Sequence, residues 1–220
     1  MAFITKKDRP LALVACIVII AFLVLIFTTV DDPISRPSDG VAVSTQSDPE
    51  QLADSTTILD PVTIGSATYK FTVKAAYQVS GVLVSKHNYP HGAMSKLAPY
   101  DYAIAWGKTL DWLPHLKFSQ ASRYCFFKYK LSSPVDRSYV DKHASNNHLI
   151  PATPNLRKAF RTAKKNDLVR VDGYLVNVDE TRKGKKIPTW TTSTKRDDIG
   201  MGACEIIYVT RLQINDQIFE

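Results

Sequence analysis

The most apolar part of the chain lies close to its N-terminus. Residues 10–30 (PLALVACIVIIAFLVLIFTTV) are 21 positions without a charged side chain. A helix of that length rises about 30 Å, which matches the hydrocarbon core of a bilayer. Helices in soluble proteins normally keep one polar face, so this pattern predicts a single transmembrane helix.

Flanking charge predicts how this helix is oriented. Three basic residues lie within residues 1–9, whereas Asp31 and Asp32 follow the apolar run. Basic flanks mark the cytoplasmic side of a membrane, and the run is longer than the apolar region of a cleaved signal peptide. We therefore expect a cytoplasmic tail, an uncleaved signal anchor in the inner membrane, and a C-terminal part that is periplasmic or otherwise extracytoplasmic.

Residues 31–60 separate the apolar run from the rest of the chain. They are rich in Ser, Thr, Asp and Pro, contain no aromatic residue, and hold seven acidic residues against Arg36. Such a segment buries too little apolar surface to offset the entropy of ordering it, so we expect a disordered, acidic tether. Residues 61–220 then form a basic domain, because they hold 24 of the 28 Lys and Arg residues but 13 of the 21 Asp and Glu residues, a net charge of +11.

Two periodicities in residues 61–220 predict an α+β domain. Apolar and polar side chains alternate over residues 68–74, as in a half-buried strand, and apolar positions within residues 153–165 recur at helical spacing behind a Thr-Pro start. Glycines within expected strands, Gly81 and Gly173, indicate bends. We therefore expect a small, strongly curved antiparallel sheet, with an OB-like barrel as the first architecture. The expected strands cover residues 68–74, 77–87, 123–131, 168–178, 187–194 and 203–213, and the expected helices cover 97–107, 133–144 and 153–165.

One stretch concentrates groups that titrate or form hydrogen bonds. His143, Asn147 and His148 lie within six residues, just after an expected helix. Paired imidazoles can bind a metal or transfer protons, which makes these three residues the catalytic candidates. Their spacing does not place both rings on one helix face, and a helix-ending histidine followed by hydrogen-bonded asparagines explains them without chemistry. Both interpretations stay open.

Cations are the candidates for binding. A net charge of +11 favours phosphate-bearing partners such as lipid headgroups or nucleic acid, or an acidic protein. One group of candidates lies on the polar face of the helix expected at 153–165, a second lies at the tip of an expected hairpin, and Arg123 and Arg196 are further candidates. A solvated surface without a ligand is the alternative. The helix group is Arg157, Lys158, Arg161, Lys164 and Lys165, and the tip group is Arg182, Lys183, Lys185 and Lys186.

Two cysteines follow the apolar run. Cys125 and Cys204 both lie on expected strands, and an extracytoplasmic compartment permits a disulfide between them if their Cα atoms lie within about 7 Å. The sequence shows no CxxC pair, no HExxH or GxSxG motif and no lysine-bearing glycine loop. No metal site and no cofactor are therefore expected.

Several short motifs together resemble a family of small, single-pass, membrane-anchored bacterial proteins to which no activity is assigned. The resemblance covers most of residues 69–210, and it implies a location in the bacterial cell envelope but no catalytic residues. Its motifs are Ala105-Trp106-Gly107, Ser119-Gln120 with Arg123, the run from His143 to Pro151, the strand around Val169–Val176, and Gly202-Ala203-Cys204-Glu205.

These observations favour a non-enzymatic binding or assembly module held at the outer face of the cytoplasmic membrane. Two alternatives stay open. An envelope hydrolase would use His143 and His148 in one pocket. A nucleic-acid-binding module for DNA uptake or export would carry an open basic groove lined with aromatic side chains. The sequence leaves undecided whether the protein is an enzyme.

Overall fold

The computed structural model describes residues 32–38, 40–92, 94–195 and 204–220, and those from Pro33 onwards belong to one unit. The expected tail at 1–9, the expected transmembrane helix at 10–30, and Arg196 lie outside these ranges. Among the helices that the structure does describe, none has both the length and the apolar character needed to cross a membrane.

The described residues are mostly β-sheet with few helices, which is consistent with the expected α+β class. The strands are β1 (Arg36–Pro37), β2 (Glu50–Ala53), β3 (Val62–Ile64), β4 (Ala67–Asn88), β5 (Tyr100–Ala105), β6 (Lys117–Ala121), β7 (Tyr124–Lys128), β8 (Ala144–Pro151), β9 (Leu168–Arg182), β10 (Lys185–Lys186), β11 (Glu205–Ile214) and β12 (Gln217–Phe219). The helices are a 3-10 helix (Gly107–His115), α1 (Arg137–Lys142) and α2 (Pro154–Thr162).

Five of these strands close into a ring. β4 pairs with β5, β5 with β8, β11 with β9, and β9 with β4, all antiparallel, whereas β8 and β11 pair in parallel. Each ring strand therefore has a hydrogen-bonded neighbour on both sides. Outside the ring, β1 pairs with β12, β12 with β11, β2 and β3 with β4, and β10 with β9. β6 and β7 form a separate hairpin.

The longest strand bends as it passes round the ring. β4 has 22 residues, and its pairing shifts register between Val73 and Ala75 and again between Leu83 and Ser85. Irregularities of this kind bend a strand and increase its twist. The strands expected at 68–74 and 77–87 are therefore one strand, and its first irregularity lies at the expected gap.

Two glycines mark places where ring strands approach each other closely. A Cβ at Gly173 would overlap the carbonyl oxygen of Tyr208, and a Cβ at Gly81 would overlap the carbonyl oxygen of Ala105. Gly173 pairs with Val209, next to a register shift in β11. No side chain fits at either position, which is why glycine stands there.

The ring interior is apolar and packs against α2. Thr153 begins this helix, and its hydroxyl accepts a hydrogen bond from Leu156 N at 3.1 Å, as the Thr-Pro start predicts. Phe160 is fully buried against ring side chains, and Tyr102 Oη donates to its carbonyl at 2.7 Å. The helix therefore directs its apolar face into the core and leaves its basic face outside.

The prediction of a helix at residues 97–107 is wrong. Tyr100–Ala105 is the ring strand β5, and the 3-10 helix begins only at Gly107. Five of the six residues of β5 are buried, because the ring interior covers one face and other elements cover the opposite face. Its side chains therefore lack the alternation by which a half-buried strand is identified.

The expectation of a disordered tether at residues 31–60 is also wrong for the described part. β1 and β2 lie in this segment and pair with β12 and β4. Gln213 Nε2 donates to the Val41 carbonyl at 2.8 Å, and Val43 is buried. The segment is ordered because it adds backbone hydrogen bonds to an existing sheet, which its own composition does not reveal.

Three other expectations differ in detail. α1 begins after Asp136, whose carboxylate accepts from Tyr139 N at 3.2 Å, rather than after Ser133. The strand expected at 187–194 is reduced to one bridge between Trp190 and Val178. The strand expected at 203–213 is β11, but the chain then turns and returns as β12.

Candidate functional site

A buried polar cluster lies on the outer face of β5 and β8. Successive side chains of a strand point to opposite faces, so Asp101 and His148 face away from the ring interior that Tyr102 and Leu149 line. Asp101 and His148 pair directly across the two strands, and their side chains are 0% and 4% exposed. A carboxylate in this position needs a partner, because an isolated buried charge is strongly unfavourable.

Two side chains surround the Asp101 carboxylate. Its Oδ1 lies 2.7 Å from Arg123 Nη1 and 2.9 Å from His148 Nδ1. The Arg123 side chain is 19% exposed, and its guanidinium donates a charge-assisted hydrogen bond. Arginine stays protonated in proteins, so Arg123 neutralises the carboxylate in either protonation state of His148.

The β6–β7 hairpin brings Arg123 to this position. Ser122 and Arg123 form its tip with positive φ angles of 51° and 70°, as in the two-residue turns that match strand twist. Arg123 N donates to Tyr89 Oη at 3.0 Å, and the guanidinium carbon lies 3.8 Å from the centroid of the Tyr89 ring. Asn146 Nδ2 donates to the Arg123 carbonyl at 2.9 Å. Backbone and side-chain contacts together fix the tip over the sheet.

Further side chains complete the cluster. Gln120 Nε2 donates to Asn146 Oδ1 at 2.7 Å, and Asn146 Nδ2 lies 3.6 Å from Cys204 Sγ. The ring centroids of Trp190 and His148 are 4.8 Å apart. Several motifs that carry the family resemblance therefore meet at one place. Their members in the cluster are Gln120, Arg123, Asn146, His148 and Cys204.

Burial changes two pKa values in and beside the cluster. Burial, and then the negative charge of Asp101, raises the pKa of Tyr89 to about 12. Burial, and then the nearby Cys204, raises the pKa of Cys125 to about 12. The reactive form of cysteine is the thiolate, so Cys125 is not an activated nucleophile. Within the described residues no disulfide joins Cys125 to Cys204, and its formation stays a prediction for the oxidised protein.

The three catalytic candidates from the sequence lie in different surroundings. His148 lies in the buried cluster, whereas Asn147 points to the opposite face of β8 and donates to the Tyr102 carbonyl at 3.1 Å. His143 ends α1, stacks on Tyr139 with ring centroids 3.6 Å apart, and has its Nε2 3.7 Å from Asp48 Oδ1. Strand alternation separates the side chains of His148 and Asn147, and β8 begins between the two histidines.

The two basic groups also lie apart. Arg182, at the hairpin tip, is the strand partner of Ala67 in β4. The backbone carbonyl of Asp167, just beyond α2, accepts a hydrogen bond from Leu83 N in β4 at 2.9 Å. Ala67 and Leu83 are 16 positions apart in β4, which is on the order of 50 Å along an extended strand. The helix group and the tip group are therefore separate surfaces.

Individual members of the basic groups differ in their contacts. Arg157 Nη2 donates to the Lys96 carbonyl at 2.6 Å. Arg182 pairs with Glu180 at 2.5 Å, and Lys186 lies 4.0 Å from Asp179. Lys164 and Lys165 on the helix side, and Lys183 and Lys185 at the tip, are exposed.

Sequence reasoning missed Asp101, Tyr89 and Trp190 and placed Arg123 only among the cations. One signal for Asp101 was available, since it is the single charged residue within Tyr100–Ala105, and a charge in a buried segment requires a partner. The sequence does not indicate which cation supplies it. Arg123 is 22 positions away, and a hairpin brings it there.

The chemistry available to this cluster is limited. In the part of the chain that the structure describes, no three His, Cys, Asp or Glu side chains are arranged to hold a metal ion. His148 lies between a carboxylate and an indole ring, a geometry that fixes its orientation. No family model, no characterised protein and no solved structure matches this chain.

Replacing Arg123 by Leu should strongly destabilise the domain. The change leaves the Asp101 charge buried beside His148 alone, and breaking a buried pair on one side costs about 3–5 kcal/mol. Because Arg123 is partly exposed, we expect a loss of about 2–4 kcal/mol in the free energy of unfolding, measured by urea denaturation. Adding Asp101→Asn to Arg123→Leu should recover part of this loss.

Arg137→Leu is the control. Arg137 pairs with Asp141 at 3.5 Å and its side chain is 72% exposed, so we expect a loss below about 1 kcal/mol. Equal losses of unfolding free energy for Arg123→Leu and Arg137→Leu would show that the buried Arg123–Asp101 pair stabilises the domain no more than an exposed pair does.

Proposed function

We propose that this protein is a non-enzymatic binding module of the bacterial cell envelope, anchored to the inner membrane through residues 10–30. Its folded domain binds an anionic partner on the outer side of that membrane. The observation that carries the proposal is a basic surface, here called the α2 surface, with no acidic residue in residues 153–165. Arg157, Lys158 and Arg161 lie on α2, and Lys164 and Lys165 follow just beyond its end. Like charges on neighbouring turns repel each other, and an anionic partner relieves that repulsion.

The geometry of α2 supports this role. Leu156, Ala159 and Phe160 are fully buried, so the apolar face packs into the core while the basic face stays outside. Lys86 adds a further cation at its C-terminal end, where its Nζ donates to the carbonyls of Arg161 at 2.9 Å and Ala163 at 2.5 Å. A cation at a helix C-terminus is favourable, and here it extends the basic surface onto β4.

The ring topology also supports a binding role, and we propose that the ring is an OB-like barrel. Around the ring the strands follow one another in the order β4, β5, β8, β11 and β9, which are the first, second, third, fifth and fourth ring strands along the chain. The helix α2 lies in the connection between the third and the fourth, β8 and β9. Domains of this architecture bind oligonucleotides and oligosaccharides on the face of the second and third strands and the loops beside it.

The contacts of the buried cluster favour binding over catalysis. Asp101 is neutralised by Arg123, His148 is fixed against Trp190, and Cys125 is protonated. A general base needs a nucleophile or substrate proton within hydrogen-bond reach, whereas Asp101 lies 2.7 Å from Arg123 Nη1 and 2.9 Å from His148 Nδ1. Since His143 and His148 lie in different surroundings, a hydrolase that uses both in one pocket is not proposed.

Nucleic-acid binding is the second candidate. Tyr89, Arg123 and Trp190 lie together at the face of the second and third ring strands, where OB-like domains bind single strands. Aromatic rings and Arg side chains are the groups on which bases stack. In this chain the guanidinium is already occupied by Asp101 and Tyr89, so we rank this candidate below a partner bound at α2.

The orientation of the proposed anchor can be tested directly. Alkaline phosphatase fused after residue 220 should be active in bacteria, because the enzyme folds in the oxidising space outside the inner membrane. A matched fusion that lacks residues 10–30 should be inactive. Activity from the shortened fusion alone would overturn the proposed topology.

Charge reversal of Lys164 and Lys165 tests the binding surface. Both are exposed, so the double variant Lys164→Glu/Lys165→Glu should fold normally and bind heparin and labelled single-stranded DNA at least about tenfold more weakly at low salt. Full-length protein in neutral detergent micelles is titrated by fluorescence anisotropy.

The matched control reverses Lys70 and Lys74, which are exposed on β4 and bring the same change in net charge. We expect it to reduce affinity much less. Equal reductions by both double variants would mean that net charge rather than the α2 surface attracts the probes. A loss of DNA binding specific to Trp190→Leu would favour the nucleic-acid candidate.

A further inference from the structure

A cleft beside the β6–β7 hairpin has the features of a site for a small anion. Its volume is about 530 Å³, and it lies between the end of the 3-10 helix, the open end of the hairpin and the loop that follows β7. Binding sites for small molecules typically enclose about 300–1,000 Å³. Its cationic lining side chains are Lys117, Lys128 and Lys130, and His115 lies beside them.

The lysines of this cleft stand in an unfavourable arrangement. Lys117 and Lys128 are paired directly across the two strands, and like charges in this position destabilise a hairpin. Lys130 lies two positions beyond Lys128, just past the end of β7, and lines the same cleft. Three lysines therefore line one cleft at the open end of a two-stranded sheet.

Within this cleft the lysines face no carboxylate; Asp141, in a neighbouring cleft that Lys128 also lines, pairs with Arg137. The lining of the cleft contains no Asp or Glu, and in the described ranges none of the three lysines lies within ion-pair distance of an acidic side chain. The cleft concentrates a positive potential on a small volume, and low-dielectric walls strengthen such a potential.

The walls of the cleft are fixed before any ligand binds. Ser133 donates its backbone N–H at 2.9 Å and its hydroxyl at 2.5 Å to the Lys130 carbonyl, which closes the turn after β7. Pro114 and Pro134 both line the cleft, and proline restricts the backbone. Tyr129 and the prolines supply apolar contact, and a preformed site loses little entropy on binding.

We propose that this cleft binds a compact phosphorylated molecule that carries at least two anionic phosphate groups. The three lysines neutralise the phosphate oxygens, the Ser132 hydroxyl is available as a donor, and Tyr129 with the prolines contacts the uncharged part of the molecule. The site is separate from the α2 surface and does not depend on the membrane anchor, so it goes beyond the proposed function.

The test is a titration of the full-length protein, in neutral detergent micelles, with inorganic pyrophosphate. Isothermal calorimetry at low ionic strength should show saturable binding of one pyrophosphate per chain. Lys128→Gln/Lys130→Gln should raise the Kd at least about tenfold, because two of three cations are lost from the site. Orthophosphate, with fewer charges, should bind more weakly than pyrophosphate.

Two double variants serve as controls. Lys70→Gln/Lys74→Gln removes the same charge from β4 outside the cleft, and Lys164→Glu/Lys165→Glu alters the α2 surface. Both should change the Kd for pyrophosphate by less than about threefold. The second control separates this site from the proposed function, since it should weaken binding of heparin and single-stranded DNA at least about tenfold and retain binding of pyrophosphate.

Thermal unfolding gives a readout that does not depend on calorimetric heat. Pyrophosphate should raise the Tm of the native protein, whereas Lys128→Gln/Lys130→Gln should unfold at an equal or higher Tm without ligand, because the Lys117–Lys128 repulsion is relieved. A lack of saturable binding, or an equal loss in Lys70→Gln/Lys74→Gln, would overturn the proposal.

Discussion

The structure depends on the closure of five strands into a ring. β9 pairs with β4 on one side and with β11 on the other, and the parallel pair of β8 with β11 completes the circle. Closure requires strands to bend, and this requirement explains the irregular register of β4 and the glycines at 81 and 173. It also divides the molecule into an apolar interior, against which α2 packs, and an outer face that must be covered or solvated.

The outer face of β5 and β8 is covered by elements inserted between these two strands. The 3-10 helix, β6, β7 and α1 all lie in that connection. Because β5 carries Asp101 on this covered face, the β6–β7 hairpin must present a cation there, and Arg123 at its tip does so. The same hairpin carries Lys117 and Lys128 at its open end. Its tip therefore covers the outer face of β5 and β8, and its open end lines the basic cleft.

Local signals allowed the parts with clear periodicity to be predicted from the sequence. The helix behind Thr153 and the strand from Leu168 are confirmed, because their own side chains define the buried face. β5 was predicted as a helix since both of its faces are buried, and residues 36–37 and 50–53 were predicted as disordered since they are ordered only by pairing with distant strands. The Asp101–Arg123 contact could not be predicted because the hairpin geometry that brings the two residues together has no local signature.

Native-state amide hydrogen exchange tests the closed ring most directly. The amides that donate the hydrogen bonds between β8 and β11 should be as strongly protected as those of the β4–β9 ladder. The reason is that a closed ring opens only when the whole core unfolds. Their opening free energy should therefore match that of global unfolding in urea. Rapid exchange at the β8–β11 pairs, with the β4–β9 amides still protected, would show an open sheet and contradict the account.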